Sequence, residues 1–148
     1  MSEAENALHT TMREWVQKAE NDLKSAEAIL ALGEKCPTDG VCFHAQQCIE
    51  KYIKALLVAN KLDFPKTHDI NALILLLPES MRPPIDVFQG RRLTDYAANS
   101  RYPDSFVEIP LAEARGAMEL VRSIRGQIRR SLRALHPGLV LPGSDTAS

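Results

Sequence analysis

Cysteine is scarce in this chain. Cys36, Cys42 and Cys48 are odd in number and include no Cys-x-x-Cys spacing, which argues against both a disulfide framework and a thiolate zinc site. Buried free thiols in a reducing cytosol are expected. No apolar run approaches the roughly 20 residues needed to cross a bilayer, and the first ten residues carry acids without the apolar core of a secretory leader. A cytoplasmic protein without membrane attachment is therefore expected. Charge of either sign is not in excess: 18 basic residues face 19 acidic ones, a formal net of -1, so any attraction to nucleic acid has to be local. There is no glycine-rich phosphate loop, no pair of metal ligands at helical spacing and no Ser/His/Asp order. Neither a metal nor a cofactor is expected. No segment alternates with the two-residue period of a strand, which removes the sheet folds.

What the chain does have is helical periodicity over a length suited to one domain, 148 residues. Met12, Trp15, Ala19, Leu23, Ala26, Ile29 and Leu30 recur at three and four, predicting a first helix from about Met12 to Leu32, ended near Gly33. After the breakers Pro37 and Gly40 a second helix runs to about Lys61; it is the most apolar and is placed centrally. Thr67 is expected to cap a short third helix containing Leu73, Leu75, Leu76 and Leu77, closed by Pro78, Pro83 and Pro84. A fourth helix spans roughly Ile85 to Asn99 and has to stop by Tyr102, because Pro103 disfavours helical geometry in the residue before it. Pro110 suits the first turn of a last helix, which carries Leu111, Ala114, Met118, Val121, Ile124, Ile128, Leu132 and Leu135 on one face and ends at His136-Pro137-Gly138. The expected organisation is a flexible N-terminus at 1–10, a helical domain at 11–136 and a flexible tail at 137–148. The fold class is all-α, an up-and-down bundle of four long helices with one short helix inserted.

Three polar islands interrupt this pattern. On the second helix, His44, Gln47, Glu50, Lys51 and Lys54 fall on one stripe beside the apolar Phe43, Ile49, Tyr52, Ile53, Leu56 and Leu57, with Gln46 next to Gln47. Glu50 and Lys54 are also placed as an ordinary surface pair at i,i+4. Thr67-His68-Asp69 lies at a helix N-terminus, where amides and the dipole favour an anion; a cap with a passenger histidine is the alternative. In Arg101-Tyr102-Pro103 an arginine fork stands next to an aromatic ring, which suits a phosphate and base contact or a clamp on helix-end carbonyls.

Together, Gln47-x-x-Glu50-Lys51, Thr67-His68-Asp69 and Arg101-Tyr102-Pro103, in that order and after the Ala19-x-x-Asp22-Leu23-x-x-Ala26 helix, resemble the HEPN (higher eukaryotes and prokaryotes nucleotide-binding) family. The resemblance implies an all-α bundle, a homodimer, and in some members pairing with a small nucleotidyltransferase encoded separately or fused. It implies a ligand-binding cleft drawing on Gln47, Glu50, Lys51, His68, Arg101 and Tyr102 that accepts a nucleotide or a phosphate-bearing end.

Two other functions stay open. Many HEPN proteins are metal-independent, toxin-like endoribonucleases, some of them in toxin–antitoxin pairs, with an arginine followed after four to six residues by a histidine. Arg101 fits the arginine, yet Tyr102 to Pro110 contains no histidine; the spacing is met by Arg130 or Arg129 with His136, at the end of the last helix. Proton transfer needs such a histidine, so RNA cleavage would use Arg130 and His136, or Arg101 with a histidine from elsewhere. The third possibility is a purely docking subunit for a nucleotidyltransferase. One feature belongs to none of these: Arg122, Arg125, Arg129 and Arg133 form a stripe on the last helix, where six arginines against two acids give Leu111 to His136 a net charge of +4. Such a stripe is a candidate for phosphate contact or an acidic partner, or else a solvated face opposite the core.

Overall fold

The computed structural model describes residues 1–99 and 108–145. Its helices are α1 (Glu3–Leu30), α2 (Thr38–Ala59), α3 (Ile70–Leu76), α4 (Val87–Asn99) and α5 (Leu111–Leu135), with a 3₁₀ turn at Glu79–Met81. Four long helices and a short inserted one form an up-and-down bundle, and no strand occurs among the described residues.

The core is built on α2. Val41, Cys42, Ala45, Cys48, Ile49, Tyr52, Ile53, Ala55, Leu56 and Leu57 are all buried, so this helix is covered on nearly every side. Against it α1 lays the stripe Met12, Val16, Ala19, Leu23 and Ala26, and α5 lays Ala114, Met118, Val121, Ile124, Ile128 and Leu132. α2 has no broad apolar face left over for a partner, since the bundle itself uses that surface.

Local chemistry sets the ends. The Ser2 side chain accepts from the Glu5 amide at 3.1 Å and two acids lie in the first turn, so α1 starts at Glu3 and not near Met12. The cap of α3 is Asp69, whose Oδ1 accepts from the Ala72 amide at 3.1 Å; Thr67, expected to cap, instead accepts from the Asp69 amide. Asp86 and Gln89 form a reciprocal capping box at the start of α4, with bonds of 2.8 and 3.0 Å. α2 ends in a Schellman motif, Leu62 N–H to Leu57 O at 3.0 Å and Lys61 N–H to Val58 O at 2.9 Å, with Lys61 in the left-handed region at φ 57°.

Two ties position the later helices. Thr38 Oγ1 donates to Ile109 O at 2.6 Å, joining the start of α2 to the approach to α5. Glu113 on α5 accepts from Tyr96 and from two nitrogens of Arg92, at 2.5 to 2.9 Å, locking α4 to α5. After α5 the chain does not leave the bundle as a free tail: Leu139 is buried, Leu141 packs on the core, and residues 142–145 lie against α5.

Candidate functional site

The polar stripe of α2 faces α1 and the 64–69 loop, and its side chains are organised by two carboxylates. Asp22 on α1 accepts from Lys51 Nζ at 2.5 Å through one oxygen and holds His44 Nδ1 at 2.8 Å through the other. Glu50 holds His68 Nδ1 at 2.7 Å, and accepts from Gln46 Nε2 at 3.1 Å and Lys54 Nζ at 2.9 Å. Gln47 Nε2 donates to Gln46 Oε1 at 2.6 Å, and Gln46 also donates to the carbonyl of His68 at 3.3 Å. The Glu50–Lys54 pair is no surface pair. Both residues are buried, and the Lys54 ammonium sits over the Trp15 and Phe64 rings, 5.4 and 5.9 Å from their centroids.

These contacts sort the stripe into an inner and an outer part. Gln46, Glu50 and Lys54 are interior and satisfy one another. His44, Gln47, Lys51 and His68 form the rim, with the His68 side chain 53% exposed. Each histidine binds its carboxylate through Nδ1, which orients the ring and leaves Nε2 as the nitrogen that the carboxylate does not engage. Lys51 spends one of its three N–H donors on Asp22. Among the six ligand-site residues expected from sequence, the structure brings Gln47, Glu50, Lys51 and His68 together. Arg101 and Tyr102 lie outside the described residues.

A model of the HEPN domain matches residues 12–131, most of the chain. The chain belongs to the HEPN family. Two solved structures share its fold: TT1696 from Thermus thermophilus, at 30% identity and TM-score 0.66 over 80% of this chain and 96% of that one, and ST0689, an archaeal HEPN homologue, at 26% identity and TM-score 0.61 over 82% and 97%. No functionally curated protein matches it.

In this HEPN protein Asp22, buried on α1 beneath the rim, is the residue that sequence reasoning missed. Its signal, one acid in an otherwise apolar Ala-x-x-Asp-Leu-x-x-Ala stripe, is visible in the sequence, but its partners lie on the next helix. The other candidate residues are elsewhere. Arg130 is exposed on α5. The His136 ring is held between Ala59 O, 3.1 Å from Nε2, and His9 Nε2, 3.3 Å from Nδ1, so it joins the C-terminus of α5 to α1 and α2. No group of three or more His, Cys, Asp or Glu side chains able to hold a metal occurs among the described residues.

A second polar cluster lies on the α5 side. Arg125 clasps Glu20 through two bonds of 2.8 Å, Tyr52 OH donates to Glu20 at 2.6 Å, and Arg129 Nη1 donates to Tyr52 OH at 3.1 Å. Burial alone would raise the Glu20 carboxyl, but the bonds from Arg125 and Tyr52 outweigh it and hold the group below its ordinary value. Burial and the Glu20 contact push the Tyr52 hydroxyl up, and it stays protonated as a donor. The arginine stripe is thus half interior: Arg125 and Arg129 are buried, while Arg122 and Arg133 are half-buried.

Proposed function

We propose that the rim of α2 binds a nucleotide or another phosphate-bearing ligand, with Lys51 and His68 on the phosphate and Gln47 and His44 as adaptable hydrogen-bonding groups. The observation that carries this reading is the shared Asp22 carboxylate, which sets an oriented imidazole and a partly free ammonium side by side at the solvent edge. A phosphate competes with Asp22 for Lys51 and gains a charge-assisted bond; the buried Glu50 meanwhile keeps His68 in place. Arg101 and Tyr102, in the segment that follows α4 in sequence, are proposed to add a guanidinium fork and an aromatic face.

The protein is proposed to act in the cytoplasm as a homodimer and as a partner of a small nucleotidyltransferase, in keeping with its family. Leu75 and Leu76 on α3 and Val87 and Phe88 on α4 are exposed apolar side chains on two helices in contact, and they offer the dimer surface that α2 does not. Sedimentation at micromolar concentration tests the dimer: a dimer boundary is expected for the wild type, and a monomer for Phe88→Glu.

Calorimetric titration with ATP tests the binding site. Saturable heat is expected, weakened by about 1.5 to 3 kcal/mol in Lys51→Ala and in Arg101→Ala with an unchanged circular dichroism spectrum. No heat at millimolar nucleotide would move the function to docking alone.

A further inference from the structure

The contacts of the α5 arginine stripe lie apart from the α2 rim. Arg125 and Arg129 expose only 8% and 2% of their side chains, and Arg133 lies one turn further on. Within the bundle these three guanidiniums meet one carboxylate, Glu20, and one hydroxyl, Tyr52. Every other acceptor they have among the described residues comes from four consecutive residues after α5. Arg129 donates to Pro142 O at 2.6 Å, to Gly143 O at 3.2 Å and to Asp145 Oδ1 at 2.9 and 3.1 Å. Arg125 donates to Ser144 O, and Arg133 to the same Asp145 carboxylate.

This strap lies at the surface, and its backbone at position 143 favours glycine. Gly143 has φ +84°, and a Cβ there would come within 2.0 Å of Glu20 Oε1. Without the strap, Arg129 keeps Tyr52 OH as its one acceptor among the described residues, and its other donors are open to water or to an anion. The strap answers three guanidiniums with neutral carbonyls and a single carboxylate. A phosphate offers more charge and several acceptor oxygens in the spacing that guanidinium forks match. The strap's advantage is its tether, which Leu139 and Leu141 anchor in the core and which gives it an effective concentration in the millimolar range.

We propose that Arg125, Arg129 and Arg133 form an anion site for a phosphate group, distinct from the α2 rim, and that Pro142 to Asp145 occupies it as an intramolecular competitor. Ligand and strap then exclude each other, and phosphate binding frees the C-terminal segment.

The experiment titrates inorganic pyrophosphate into the full-length protein by calorimetry at fixed ionic strength. Gly143→Ala should eject the strap and bind pyrophosphate about tenfold or more tightly than wild type, with Asp145→Asn intermediate. Adding Arg129→Gln to Gly143→Ala should abolish the gain. Limited proteolysis reports the strap directly: cleavage after residue 141 should speed up in Gly143→Ala and, in the wild type, on adding pyrophosphate. A chain truncated after Leu141 carries the same expectation if Gly143→Ala fails to release the segment. Equal affinity in wild type and a variant whose strap is free, or a gain that survives Arg129→Gln, overturns the proposal. A short oligouridylate in parallel identifies the source of the phosphate, free or on a nucleic acid backbone, and binding of either by the released form and not by its Arg129→Gln variant supports the site.

Discussion

Glu20 on α1 and Arg125 on α5, 105 positions apart, meet in a two-pronged ion pair with both bonds at 2.8 Å. Each is buried, so neither finds water if the other is removed. Arg125→Met is expected to leave Glu20 with Tyr52 alone and to cost roughly 3 to 5 kcal/mol in urea unfolding. The Glu20→Met, Arg125→Met double variant should cost clearly less than the sum of the two singles, which a double-mutant cycle measures.

The same pair predicts an acid limb. Because the Glu20 carboxyl is held below its ordinary value in the folded state, its contribution to stability is complete above the unfolded carboxylate range and disappears as pH falls through that range to the lower folded value. Urea midpoints recorded from neutral pH downward should therefore drop more steeply in wild type than in Glu20→Gln. Parallel curves would remove Glu20 as the cause.

Lys61 is the one described non-glycine residue with positive φ, and it closes the Schellman turn of α2. A side chain in that conformation costs about 1 to 2 kcal/mol relative to glycine, partly offset by the freedom glycine adds to the unfolded chain. Lys61→Gly is expected to stabilise the protein by about 0.5 to 1 kcal/mol, read as a higher thermal midpoint.

The α3 cap separates two neighbours. Asp69→Ala removes the acceptor for the Ala72 amide and should cost about 1 kcal/mol, whereas Thr67→Ala loses an exposed turn contact and should cost less than half as much. Equal losses would mean that the turn, and not the cap, limits α3.

Much of this architecture was legible in the sequence because buried helices write their packing as a three-and-four repeat. Met12, Ala19, Leu23 and Ala26, and the α5 set from Ala114 to Leu132, occupy the core that their spacing predicts. The early start of α1 was also written, as Ser2-x-x-Glu5, but in polar capping chemistry that an apolar count passes over. The HEPN motifs identified the rim of α2 and the family. What lay beyond the sequence were pairings between elements: Asp22 with His44 and Lys51, and Tyr52 with Glu20, each join helices whose register only the folded bundle sets. The strap was least legible, since Pro142 to Ser144 dock through backbone carbonyls, which every residue carries and no side-chain pattern announces.

The position of Trp15 has an optical consequence. It is the chain's single tryptophan, and Lys18 and Lys54 hold their charges 5.8 and 5.4 Å from its ring, with Phe64 edge-on at 6.1 Å. Indole emission shifts with nearby charge, so the protein carries an intrinsic fluorophore wired to the Glu50–Lys54 pair. Tyr52, which faces the arginine cluster, stands two residues from Lys54, about 160° around α2. A ligand settling on the α2 rim should therefore change the emission colour, while events at the arginine cluster leave it unchanged, and a plain fluorimeter can tell the two faces of the bundle apart.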